Sequence, residues 1–208
     1  MLGSSDDIAR MKRALFDDFP FYMTSIHAVG RIRTASPGRI LDLGCGTGRS
    51  RPQLERVVPH LEWHGTDIAD SNEVLERREI HPRITTYDGV HLPYPDAHFR
   101  VVYSHQVFEH VRYPDQLLAE VLRILEPGGH FIGSVAYLEP YHSRSFFNFT
   151  PYGMLTVLED AGFNEVRLAP GNDGIVLIFR SMLRPLARIQ PKLFRVRPWL
   201  HISDLDRK

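Results

Sequence analysis

Between Ile40 and Ser50 the chain reads Ile-Leu-Asp-Leu-Gly-Cys-Gly-Thr-Gly-Arg-Ser. A short apolar run, Arg39 to Leu43, has the composition of a buried parallel strand. It breaks into glycines at Gly44, Gly46 and Gly48. Glycine lets the backbone turn tightly there and lets a ligand approach main-chain N–H groups. The spacing predicts a helix over Arg49 to Val57, its N-terminus facing the ligand. A strand, a glycine turn and a helix make the opening of an α/β domain.

Details of the loop discriminate between nucleotide sites. A dinucleotide fingerprint needs a third glycine at the position of Arg49, where helix packs on strand, and arginine is too large. A P-loop needs a Gly-Lys pair, which does not follow. What remains is Asp-x-Gly-x-Gly-x-Gly, with Asp42 two residues before Gly44. Further along, a second strand over Glu62 to Gly65 leads to Thr66-Asp67-Ile68, and Asp67 lies nineteen residues beyond Gly48. A carboxylate ending that strand can accept both hydroxyls of a ribose. Ile84 to Gly89, Phe99 to Ser104 and Leu122 to Gly129 follow as strand, strand, and helix–turn–strand.

These five motifs, in this order from about Ser36 to Phe179, resemble the class I S-adenosylmethionine (SAM) methyltransferases, in particular the type-11 methyltransferase group. The resemblance implies a Rossmann-like seven-stranded sheet, mostly parallel with a C-terminal antiparallel strand and helices on both faces. It implies SAM as cofactor, held by Asp42, Gly44, Cys45, Gly46, Gly48, Asp67, Ile68, Asp88, Gly89, Ser104 and His105. Asp88 takes the place of the acidic residue that accepts from the adenine amino group. One departure is Arg100, where the family usually has Asp; the position opens a strand, and the change reads as local.

The 208 residues suffice for one α/β core. Lys plus Arg equals Asp plus Glu, at 25 each, which gives no general reason to expect a nucleic-acid substrate. A single Cys45 excludes an internal disulfide and suits a reducing cytoplasm; it reads as a small packed residue, not a nucleophile. No apolar run reaches the length of a membrane span, and the first residues lack a signal-peptide core. Three regions result: a helical cap over residues 1–35, broken at Pro20 and capped by Ser5, with Tyr22 a plausible cofactor contact; the methyltransferase domain, 36–180; and a basic, Pro-containing extension, 181–208. The extension suits intramolecular packing or a homodimer seam, since Pro185, Pro191 and Pro198 interrupt any continuous amphipathic face.

Within the domain, strands over Glu165 to Leu168 and Gly174 to Phe179 are expected to close the sheet. An aromatic and polar segment, 137–150, follows the fifth strand at the carboxyl end of the sheet, where open α/β folds place ligands. It offers Glu139, Tyr141, Arg144 and Phe147 for the acceptor. Methylating a neutral hydroxyl benefits from a base or a metal. His142, flanked by Glu139 and Arg144, is the favoured base; His105 and His110 are rivals, and His130 is structural. Gln106-x-x-Glu109-His110 is similar to the Glu-x-x-Glu-His metal motif of some O-methyltransferases, with Gln106 replacing one Glu. A divalent cation such as Mg²⁺ on Glu109, His110 and His142 is therefore the alternative to a base. The acceptor expected is a small hydroxylated molecule such as a sugar. Rival readings are a lipid, quinone or natural-product acceptor at a membrane surface, and a non-catalytic SAM-binding scaffold.

Overall fold

The computed structural model describes residues 4–15, 23–32, 36–75, 77, 81–137 and 144–169. These contain strands β1 (Gly38–Leu43), β2 (Leu61–Ile68), β3 (Ile84–Tyr87), β4 (Phe99–His105) and β5 (Leu125–Ser134). The helices are α1 (Ser5–Ala14), α2 (Ser25–Gly30), α3 (Arg51–Val57), α4 (Asn72–Leu75), α5 (Pro114–Ile124) and α6 (Pro151–Asp160). The strands form one sheet of order β3-β2-β1-β4-β5, and every pairing is parallel. The expected strand over 174–179, and with it any seventh strand, lies outside the described residues. Leu168 makes only an isolated bridge to Leu15.

Alternation along β1 and β4 explains why both faces need helices. Ile40, Val101 and Tyr103 point to the face where Val29 of α2 and Leu54 of α3 pack. Leu41, Leu43 and Val102 point to the other, against Leu117, Leu118 and Val121 of α5 and Met154 of α6. Most of these side chains are fully buried, and each contributes about 1.5–3 kcal/mol by leaving water.

Helix boundaries shift from expectation for local reasons. Ser4, not Ser5, caps α1: Asp7 sits three residues beyond Ser4, so the Asp7 N–H donates to Ser4 Oγ while the Ser4 N–H donates to Asp7 Oδ2, at 3.2 and 3.0 Å. The helix after the glycine loop begins at Arg51, with Pro52 in its first turn, so Arg49 and Ser50 belong to the turn. Helix α5 runs straight into β5, and the expected turn over Glu126 to Gly129 becomes a bulge between the Phe99–Leu125 and Val101–His130 pairs. Arg100 lies in that bulge and holds Glu126 at 2.8 Å. It is at the amino-terminal end of β4, as a local substitution requires.

At the other end of the sheet, Gly44 adopts φ +73°, and an added Cβ would overlap Val107 Cγ2. Gly128 has the similar φ of +75° with nothing within 4 Å. Both positions strain an alanine, by about 1–2 kcal/mol, but only Gly44→Ala also forces the packing apart. Gly44→Ala is expected to cost more than about 2 kcal/mol and Gly128→Ala clearly less, read from denaturant midpoints at constant slope. Equal losses would show that Val107 does not rest on the glycine loop.

Candidate cofactor and acceptor site

Parallel register sets the site. Leu43 pairs with Thr66 on one side and Ser104 on the other, so the chain ends of β1, β2 and β4 emerge together. The sheet order reverses about β1, and the crevice beside it is where such folds bind ligands. The N–H groups of Gly44 and Cys45 both donate to the Thr66 carbonyl, at 2.8 and 3.0 Å, which turns the loop back over β2. Gly44, Gly46 and Gly48 all have positive φ.

Asp67 stands in this loop. Its Oδ2 accepts from the Gly46 N–H at 2.7 Å and its Oδ1 from Ile68 N–H at 2.8 Å. Burial raises its pKa despite those bonds and the nearby Arg77. Each carboxylate oxygen keeps a further lone pair, so the group fits a vicinal diol. Ser104 Oγ, buried at the end of β4, has no hydrogen-bond partner among the described residues and is a donor for a polar ligand atom. On these observations the residues fit a nucleoside cofactor such as SAM: Asp67 toward the ribose, with the glycine backbone and Ser104 beside it.

Arg77 was not anticipated. Its Nε donates to the Gly46 carbonyl at 2.7 Å and its guanidinium reaches Cys45 Sγ at 3.5 Å. Cys45 itself is buried and its thiol is pushed up to about 12, which agrees with a packing role. Asp42 is also buried, accepting from Ser50 Oγ and from Trp63 Nε1 at 3.4 Å. It therefore braces the loop from beneath.

Asp88 is exposed, accepts from the N–H groups of Val90 and His91 at 2.8 and 2.7 Å, and meets the His91 ring at 2.8 Å. These bonds lower its pKa to about 2. A Cβ added at Gly89, which has φ +95°, would lie 3.8 Å from Ile68 Cγ2, so this turn borders the end of β2.

The helical face expected for Gln106, Glu109 and His110 does not form. Gln106 has φ +56°, its N–H donating to the Ser134 carbonyl at 2.9 Å, and only Phe108–His110 makes a 3₁₀ turn. A left-handed glutamine is uncommon and concentrates at functional turns. Glu109 is fully buried, and its carbonyl accepts from the N–H groups of Phe146 and Phe147 at 2.7 and 3.2 Å. Those bonds bring the segment after β5 against the turn after β4, with Arg144, Phe146 and Phe147 exposed. Among the described residues no group of three or more His, Cys, Asp or Glu could hold a metal ion. Glu139, Tyr141 and His142, like Tyr22 and the 181–208 extension, lie outside the described residues.

His105 occupies a more developed setting than its sequence suggests. Its Nδ1 lies 3.0 Å from Ser25 Oγ and 2.8 Å from Ser134 Oγ, and Ser25 Oγ lies 2.9 Å from the Tyr103 hydroxyl. Ser25 is eighty residues away in sequence, and no local pattern announces it.

Residues 41–133 match the family described as "Methyltransferase domain". A demethylmenaquinone methyltransferase of Deinococcus radiodurans is 34% identical over 102 residues, 47% of this chain and 42% of that protein. A probable S-adenosylmethionine-dependent methyltransferase of Mycolicibacterium smegmatis is 31% identical over 137 residues, 60% of this chain and 51% of that protein. The chain thus spans about half the length of the curated relatives it matches. Among solved structures, Haemonchus contortus phosphoethanolamine N-methyltransferase 2 in complex with SAM superposes with TM-score 0.57 at 20% identity, over 86% of this chain and 45% of that one. A Haloferax volcanii putative methyltransferase complex with the Trm112 activator gives 0.54 at 22%, over 76% and 73%. Sheet and similarity agree: residues 41–133 match a methyltransferase domain and lie on a Rossmann-like parallel sheet.

Burial raises the Asp42 pKa from 3.8 to about 7, against the lowering effect of Ser50 and Trp63. Between those values the folded state holds a proton that the unfolded chain has released, so this contribution to stability is lost as pH rises. Asp42→Asn should flatten the stability curve between about pH 4 and pH 7 relative to wild type, measured by urea unfolding. Parallel curves would show that Asp42 is charged in the folded state.

Proposed function

We propose that this chain is a methyltransferase that moves the SAM methyl group to the oxygen of a small, flat, hydroxylated acceptor. The observation that carries the reading is Asp67 bonded into a glycine loop at the carboxyl ends of β1 and β2. SAM supplies an activated methyl on a sulfonium; the protein's part is to hold the acceptor in line and take up its proton. Asp67 and the loop backbone bind the nucleoside, and Ser104 offers a hydrogen bond beside it.

The acceptor side faces the exposed Phe146 and Phe147, pinned by the Glu109 carbonyl. Aromatic faces of this kind suit a planar ring. A ring of the quinol type is favoured as the acceptor class, because the curated relatives include demethylmenaquinone methyltransferases; that name speaks for the ring and not for the atom methylated. A saccharide is the second reading, supported by exposed Arg144, Ser145 and Asn148 interleaved with those rings. A histidine base, His142 or His110, or a divalent cation on Glu109, His110 and His142, completes the notional chemistry, and chelation followed by Mg²⁺ addition distinguishes the two.

Calorimetry is expected to show binding of S-adenosylhomocysteine and none of NAD; the reverse result overturns the reading. Asp67→Ala should weaken S-adenosylhomocysteine binding about tenfold or more, as loss of charge-assisted bonds worth about 1.5–3 kcal/mol implies. An unchanged dissociation constant would place the ribose elsewhere. Incubating labelled SAM with a reduced naphthoquinone and, separately, with a panel of monosaccharides tests the acceptor class. Label transferred to a sugar alone would reject the quinol.

A further inference from the structure

The His105 ring is exposed, whereas the groups at its Nδ1 edge are sheltered: Ser25 is buried and Ser134 half-buried. Tyr103, two residues earlier on the same face of β4, stacks near the ring at 6.4 Å between centroids and 8° between planes. Its hydroxyl meets Ser25 Oγ, so α2, β4 and β5 each supply one hydroxyl to a single connected cluster. Such a cluster fixes the ring plane and holds two hydroxyl oxygens at Nδ1. Its place is the crevice: Leu43 pairs with Ser104, so Gly44 and His105 leave the sheet side by side.

We propose that His105 is the catalytic base, with Ser25 and Ser134 as its positioning residues. This rests on the methyl-transfer reading above and puts His105 in place of His142 or His110 as its proton acceptor. Nδ1 keeps its proton and donates to the two serine oxygens, while the Tyr103 hydroxyl donates to Ser25 Oγ. Nε2, on the ring edge turned away from those buried hydroxyls, then carries the lone pair. In the transfer the acceptor hydroxyl gives its proton to Nε2. The oxygen's electron pair forms the new bond to the methyl carbon, and the electrons of the breaking carbon–sulfur bond remain on sulfur. The imidazolium formed is stabilised by the serine oxygens at Nδ1 and returns its new proton to water after product leaves. Seen this way, the N-terminal segment is part of the site, because Ser25 belongs to α2.

The tautomer is the direct test and needs no acceptor. Nitrogen NMR on the full chain with labelled histidine, at pH 8 with S-adenosylhomocysteine present, should show His105 protonated at Nδ1, with His105→Gln identifying the signal. The Ser25→Ala/Ser134→Ala double variant should lose that preference. A native ring protonated at Nε2 overturns the proposal, since that nitrogen then has no lone pair to accept the proton. Activity is the second readout, with whichever probe above, reduced naphthoquinone or monosaccharide, receives label. His105→Gln should lower kcat by about 10²–10⁴-fold and leave S-adenosylhomocysteine affinity within about twofold. Ser25→Ala should lower kcat about tenfold at unchanged KM, and Ser25→Thr, which keeps the hydroxyl, should restore it. Full activity in His105→Gln overturns the assignment. Loss of S-adenosylhomocysteine binding by the unmodified chain would instead defeat the methyltransferase reading, whatever the tautomer.

Discussion

Two N–H groups share one carbonyl at the head of this domain. Gly44 and Cys45 both donate to Thr66, and this pairing turns the chain out of β1 toward β2 rather than onward. The glycine loop, the position of Asp67 and the approach of Val107 over Gly44 all depend on that turn. It works because β1 is central in the sheet: parallel neighbours on both sides hold the strand ends level. The buried Asp42 beneath, tied to Ser50 and Trp63, keeps the loop from sinking into the apolar layer below.

The parts legible in the sequence share a physical cause. Strands β1 and β4 are short apolar runs ended by polar or glycine residues, and their burial in the sheet centre follows from composition. The glycine loop is legible because only glycine tolerates its backbone. By contrast, the segment after β4 misled. Spacing alone puts Gln106, Glu109 and His110 on a helical face, but the Gln106 N–H is claimed by Ser134 and its φ is positive, so the helix cannot start there. Asp88 matches the motif position, yet its carboxylate is turned to its own following backbone and to His91.

Ser25, Ser134 and Arg77 illustrate a different limit. Each is an ordinary residue in an ordinary local pattern. Its role arises from a contact across many residues, which periodicity and spacing do not encode. The Ser4 cap is the opposite case: the reciprocal bond with Asp7 is wholly local, and attention to the residue three positions later identifies it.

Helix α1 is clasped to the far end of the described chain. Arg10 Nε donates to Glu159 at 2.8 Å, Tyr152 donates to Asp7 at 3.3 Å, and the Leu168 N–H donates to the Ala14 carbonyl at 2.7 Å. Helix α1 therefore lacks these three contacts until α6 and residue 168 have also been synthesised. At roughly 5–20 residues per second, that delay is on the order of ten to thirty seconds. A ten-residue helix without those contacts is marginal in water, and its capping box is what it has locally. Closure of this clasp is thus a late event in the making of the domain. The sheet and its glycine loop can assemble first, and α1 is fastened down after them.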